Sequence, residues 1–186
     1  RQMAYPISKL WIYPLCWILT KKIKGIENIP DKKTFIVAAN HETNRDHLLV
    51  LYPIIKKLNK KVHFIATPVW WFNIIPKQWA GVIPMRSPRQ AYREAKEVIK
   101  SGEIVGIFPE GRLERKKRTE KPKTGAVRLA LETCTPILPI GIKFSYAPFS
   151  STINIGKLVY LNKNKDIKKQ ASDVMKYLYE LRDNSI

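Results

Sequence analysis

Apolar positions along this chain recur in two alternating periods, and the alternation predicts strands separated by helices. The run from Thr34 to Ala39 is short, apolar and β-branched, as a buried strand requires. Val62 to Ala66, Glu103 to Phe108 and Ile137 to Lys143 repeat that pattern, and Gly81 to Met85 and Thr152 to Leu161 read as further strands. Between them Asp46 to Leu58 and Gly125 to Thr133 read as helices, with Pro53 expected to bend or shorten the first. Another helix starts after Ser87, an N-cap with Pro88 at the first helical position and Gly102 just past the end. Near the C-terminus Ile167, Ala171, Val174, Leu178 and Leu181 recur at spacings of four, three, four and three, so one helix face is apolar. Strands alternating with helices predict an α/β fold, a single domain with a largely parallel mixed sheet flanked by helices.

The N-terminal stretch breaks this pattern. From Met3 to Leu19 only Lys9 is charged, Tyr5, Trp11, Tyr13 and Trp17 supply amphipathic rings, and Lys21, Lys22 and Lys24 follow. Aromatic and basic residues side by side suit a membrane interface. The stretch is short of the ~20 residues of a full span, and Pro6 and Pro14 interrupt it. Residues 1–24 are therefore expected to form a membrane-associating helical arm and residues 25–186 the domain, with a helix docked on the domain's own core as the alternative. The segment holding Trp70, Trp71, Phe72, Ile74, Ile75 and Trp79 reads equally as a greasy wall of a cleft, a membrane contact or core filling.

Composition narrows the class. With 186 residues and 45% hydrophobic content the chain can bury the core of one domain, which excludes a disordered protein. A formal net charge of +19 comes from 34 Lys and Arg against 15 acidic residues, clustered at 21–24, 56–61, 112–123 and 163–169. Such clusters attract polyanions, whether nucleic acid, anionic lipid or an acidic carrier protein. No recognition helix or zinc-finger spacing accompanies the charge, so a nucleic-acid partner is not expected. Cys16 and Cys134 form no paired motif and point to a reducing compartment, and because the chain starts at Arg1 an upstream segment is expected to have been removed or left out.

The candidate chemistry lies in Asn40-His41-Glu42-Thr43-Asn44-Arg45-Asp46, directly after a buried strand. Histidine titrates near neutral pH, and an aspartate beside it can fix its tautomer and stabilise its protonated form, which makes a general base. Zinc is the rival reading. A helical zinc motif needs its second histidine four residues on, whereas His47 is six on and points about a third of a turn away at ~100° per residue, so no metal is expected.

Four ordered blocks carry a family resemblance: His41 to Asp46 with Asn40 before it, Gly81-Val82-Ile83-Pro84-Met85-Arg86, Phe108-Pro109-Glu110-Gly111, and the strand Pro136-Ile137-Leu138-Pro139-Ile140. With these blocks the chain resembles the glycerophospholipid acyltransferase superfamily, in particular bacterial 1-acylglycerol-3-phosphate acyltransferases, from about Gly25 to Ile142. The resemblance implies O-acyl transfer from a thioester, on acyl carrier protein or coenzyme A, to a lysolipid hydroxyl at the cytoplasmic face of a membrane, without a further cofactor. It gives His41 the role of base, Asp46 that of its partner, and makes Arg86, Glu110, Gly111, Arg112 and Lys123 candidates for acceptor binding. After Glu110-Gly111 this chain has Arg112-Leu113-Glu114 where relatives carry Thr-Arg-Ser, which keeps open a lyso-aminolipid acceptor or a non-catalytic membrane or nucleic-acid-binding module.

Overall fold

Strand β2 (Ile36–Ala39) is buried along its whole length because both of its faces are apolar. Val37 and Ala39 point into one hydrophobic core and Ile36 and Ala38 into a second, as the two-residue period of a strand demands. In this computed structural model, which describes residues 9–31, 33–66, 81–111 and 121–184, β2 pairs in parallel with β5 (Ile104–Ile107) on one side and β6 (Ile137–Lys143) on the other. Parallel pairing continues from β5 to β3 (Val62–Ala66) and from β3 to β4 (Val82–Pro84). Beyond β6 the sheet turns mixed: β7 (Ser151–Ile155) is antiparallel to β6, and β1 (Thr20–Lys24) lies parallel to β7 at the edge. The order is β1-β7-β6-β2-β5-β3-β4.

Helices cover both faces. Helices α1 (Lys9–Leu19) and α2 (Asp46–Leu58) pack on the first core. Helices α3 (Pro88–Lys100), α4 (Gly125–Thr133) and α5 (Ile167–Asp183) pack on the second. Ser87 caps α3 as expected, its side chain accepting from the Gln90 N–H at 3.2 Å. The predicted fold class holds: an α/β domain with a mostly parallel mixed sheet between helical layers. Its consequence for function is directional. Strands β2, β3, β4, β5 and β6 all end at one edge of the sheet, so the loops after them open on a common crevice.

Two expectations differ in detail, and a third element keeps its expected bounds in spite of an internal proline. The basic stretch 20–24, read as the tail of the arm, is an edge strand whose partner β7 lies some 130 residues on, beyond the reach of local pattern. The strand read over 152–161 stops at Ile155. Gly156 then passes under α5, where a Cβ would come within 2.8 Å of Leu181 and Tyr177, and the chain returns to the sheet only through the Ile137–Val159 bridge. Helix α2 runs through Pro53 to Leu58. Burial of Leu49, Val50, Ile54 and Ile55 outweighs the ~3 kcal/mol that an internal proline costs.

Helix α1 docks by a narrow stripe. Ile12 and Cys16, one turn apart, are buried, and the Cys16 thiol donates to the Leu48 carbonyl at 3.6 Å. Burial pushes that thiol up to about 12. The opposite face leaves Leu15, Trp17 and Ile18 exposed. No described helix is long and apolar enough to cross a membrane. Tyr5 and the aromatic segment from Trp70 to Trp79 lie outside the described residues.

Candidate active site

His41 stands two residues beyond β2, and the chain is made to turn there by Asn40. The buried Asn40 amide donates to the Ile142 carbonyl at 2.8 Å and accepts from the Ile142 N–H at 2.7 Å. One side chain thus continues the β2–β6 pairing while the main chain leaves the sheet. It frees the next residue to face the crevice.

Asp46, the first residue of α2, is fully buried, and its carboxylate gathers the loop around itself. Oδ2 accepts from the Glu42 N–H at 2.6 Å and the Thr43 N–H at 2.8 Å, and Oδ1 accepts from the Thr43 hydroxyl at 2.7 Å. These donors and the positive end of α2 compensate a buried negative charge. His41 Nδ1 lies 3.2 Å from the same Oδ2. A carboxylate only accepts, so Nδ1 carries the proton and Nε2 keeps a free lone pair. The His41 side chain is 19% exposed, enough for Nε2 to meet a substrate.

The imidazole plane is fixed from the side. Phe108, just past β5, stacks on it with centroids 4.1 Å apart and planes 16° from parallel, and Phe64 of β3 stacks on Phe108 at 5.5 Å. Phe64 reaches that position because β5 has Gly106 beneath it, where a Cβ would come within 2.4 Å of the ring. His47 meets Phe64 edge-on at 6.4 Å, and burial holds its pKa below the ordinary histidine value, as it does for His63. Both are therefore protonated more readily in the unfolded chain. Below about pH 6.5 the unfolded state takes up these protons first, so stability is expected to fall as pH falls through that value. A pH series of melting temperatures should show the decline between pH 7 and 5, and His47→Gln should flatten it; an unchanged slope would rule out this assignment.

Glu110 comes to the site from beneath. Its buried Oε1 accepts from the His41 N–H at 3.3 Å and from the Tyr179 hydroxyl at 3.3 Å, so it ties the β2 loop, the β5 loop and α5 together. Gly111 closes the turn with φ 73°, its N–H donating to the Phe108 carbonyl at 3.0 Å. That N–H is committed to the turn, which leaves the Gly111 amide no role as an oxyanion donor. The Lys123 side chain crosses this glycine, where a Cβ would come within 2.9 Å of Cγ, and its N–H donates to the Pro109 carbonyl at 2.7 Å.

Arg86 follows β4 at the same end of the sheet and is exposed. Three strand spacings separate β4 from β2, about 14 Å at ~4.8 Å each, and no hydrogen bond joins Arg86 to His41 among the described residues. Arg112 lies outside the described residues. Sequence reasoning missed Tyr179 and Arg182. Arg182 Nη1 donates to Glu42 Oε1 at 3.2 Å, Nε donates to Asp183 at 2.8 Å, and the guanidinium sits 4.8 Å from the centre of the Tyr179 ring. Burial raises the Glu42 pKa against the pull of Arg182. Nothing local marks these α5 residues: Arg182 reaches Glu42 across 140 positions of chain and Tyr179 reaches Glu110 across 69.

The chain has known relatives. A sequence model of the family described as Acyltransferase matches residues 21–143. A 1-acyl-sn-glycerol-3-phosphate acyltransferase of Borreliella burgdorferi is 30% identical over 162 residues, 82% of this chain and 62% of that protein. The chain belongs to the glycerophospholipid acyltransferase superfamily. The resemblance carried by the four sequence blocks is thereby borne out. Another such acyltransferase is a probable 1-acyl-sn-glycerol-3-phosphate acyltransferase of Mycoplasma pneumoniae, 29% identical over 173 residues, 83% of this chain and 60% of that one. The chain thus spans about three fifths of the length of these two relatives. Among solved structures, the 1-acyl-sn-glycerophosphate acyltransferase PlsC from Thermotoga maritima superposes with a TM-score of 0.68 at 26% identity, covering 93% of this chain and 74% of that one.

Proposed function

We propose that this chain moves a fatty acyl group from a thioester to the free hydroxyl of a monoacylated glycerol phosphate at a membrane surface. The observation that carries this reading is the His41–Asp46 pair, 3.2 Å apart at the carboxyl edge of the sheet, in a chain of this superfamily. His41 Nε2 takes the acceptor hydroxyl proton as the oxygen attacks the thioester carbonyl. The tetrahedral intermediate then collapses, the C–S bond breaks, and the imidazolium returns its proton to the departing sulfur. Asp46 holds the tautomer and stabilises the imidazolium.

Acceptor choice falls to the cations of the same edge. A phosphate monoester calls for guanidinium or ammonium donors; Arg86 and Lys123 at this edge are the candidates, and the family resemblance adds Arg112. The names of the relatives favour 1-acylglycerol 3-phosphate over a lyso-aminolipid. Acyl carrier protein or coenzyme A presents the acyl group, and the net charge of +19 suits either acidic donor. The test is release of free thiol from long-chain acyl thioesters with lysophosphatidic acid, with mass spectrometry of the product. Phosphatidic acid and thiol should appear in equal amounts. No thiol above the hydrolysis background with any monoacyl acceptor would overturn the proposal.

A further inference from the structure

Among the described residues seven large apolar side chains are exposed: Leu15, Trp17, Ile18, Met85, Tyr146, Phe149 and Tyr160. Strand direction sorts them. Met85 follows β4, and Tyr146 and Phe149 lie between β6 and β7, so all three sit at the carboxyl edge that holds His41. Leu15, Trp17 and Ile18 belong to the last five residues of α1, which hands over to β1 at that same edge, opposite Ser151. Tyr160 alone lies at the other end, beside the first residue of β6. An even scatter would divide such residues between the two ends; here six of seven surround the catalytic crevice.

The patch is built. Trp17 and Phe149 meet edge to face with centroids 5.4 Å apart while each is more than half exposed. The Phe149 N–H donates to the Ile18 carbonyl at 2.6 Å, which joins the loop to α1. Phe149 holds φ at 52°, a left-handed conformation that a bulky side chain rarely adopts. The loop thus accepts strain and presents an aromatic ring to solvent. Arg45, the residue before Asp46, lies over the Tyr146 ring at 5.3 Å and links this loop to the catalytic one.

Charge chooses the occupant. The exposed Lys21, Arg45, Arg86, Lys123 and Lys143 ring the same edge. Among the described residues the carboxylates there are engaged, Glu42 and Asp183 by Arg182, Asp46 by the loop, and Glu110 by His41 and Tyr179. Aromatic rings set among uncompensated cations match the interfacial region of an anionic bilayer.

We infer that the 144–150 loop is a second membrane contact, which with the end of α1 seats the catalytic edge flat on an anionic lipid surface. The acceptor then reaches His41 by sliding out of the leaflet beside Arg45 without crossing water. The inference deepens the lipid-acylating reading and rests on it for its purpose, but the contact itself is measured without turnover.

The experiment is co-sedimentation of the protein with phosphatidylglycerol/phosphatidylcholine vesicles, for wild type, Tyr146→Ser/Phe149→Gly, Trp17→Ser and His41→Ala. The loop variant is expected to bind about tenfold more weakly than wild type. Its melting temperature should hold or rise, because glycine relieves the strained φ, and a purely structural loop would instead lose stability. With a short-chain, water-soluble thioester and acceptor its turnover should stay within about twofold of wild type, and His41→Ala should bind vesicles like wild type. Unchanged vesicle binding by the loop variant, or a loss confined to Trp17→Ser, would overturn the inference. So would a collapse of its turnover on soluble substrates. Loop-dependent binding by a wild-type protein that releases no thiol would instead sink the acyl-transfer reading and leave this contact standing.

Discussion

Replacing His41 with alanine is expected to lower thiol release about a hundred- to ten-thousandfold, the range attributed to a positioned general base. The fold should tolerate the change. The side chain is partly exposed, and Asp46 keeps the Glu42 and Thr43 N–H groups and the Thr43 hydroxyl as donors after its imidazole partner is gone. Asp46→Asn is the informative companion. An amide can keep its oxygen where Oδ2 stood, accepting from His41 and from the Glu42 and Thr43 N–H groups with its NH2 turned to the Thr43 hydroxyl, but those bonds lose the charge that roughly doubles their strength, so the loop is weakened by about 1–3 kcal/mol and the imidazolium loses its counter-charge. Turnover should therefore fall with both variants, but the melting temperature should drop mainly with Asp46→Asn. Measured side by side, thiol release and melting curves separate the two roles. A His41→Ala protein active within about tenfold of wild type would remove His41 as the base and with it the proposed mechanism.

The elements of the fold and the contacts of the site were legible in the sequence to different depths. Helix α2, strand β3, helix α4 and strand β6 have the bounds that periodicity predicts, because each is set by its own apolar pattern. His41 and Asp46 were legible for a similar reason: five residues separate them, and the strand before the loop fixes where the loop must lie. What supports them was not legible. Phe108 stacks on His41 across 67 residues only because β2 and β5 are neighbours, and Arg182 reaches Glu42 across 140 because α5 lies against β6. No residue type in 20–24 announces an edge strand, since lysines at exposed positions satisfy a strand and a solvated tail equally well. Local chemistry is written locally. The walls of the site are set by topology, which pairs residues far apart in the chain.

The dependence on α5 leads to the largest expected effect on stability. Gly141 lies within β6, directly under the end of α5, where a Cβ would come within 2.3 Å of the Arg182 nitrogen and 2.5 Å of the Leu181 carbonyl carbon. Both obstacles are main chain, so no rotamer change can clear them. Gly141→Ala must push the helix off the sheet, loosening the packing of the buried Leu178 and Leu181 and the bond from the Asn154 amide to the Leu181 carbonyl. Overpacking of this kind costs about 1–3 kcal/mol, which for a domain of this size lowers the melting temperature by roughly 2–12 °C. The same displacement draws Arg182 from Glu42, a direct tie of the loop that carries His41, and Tyr179 from Glu110, the carboxylate that accepts from the His41 N–H. Turnover assayed well below the melting temperature should therefore fall as well, which simple destabilisation would not produce. Gly125→Ala is the matched control, because a Cβ there meets nothing within 4 Å and both properties should stay near wild type. If Gly141→Ala melts early yet turns over normally in the cold, α5 is only a structural cover, and the contacts of Tyr179 and Arg182 do not position the catalytic loop.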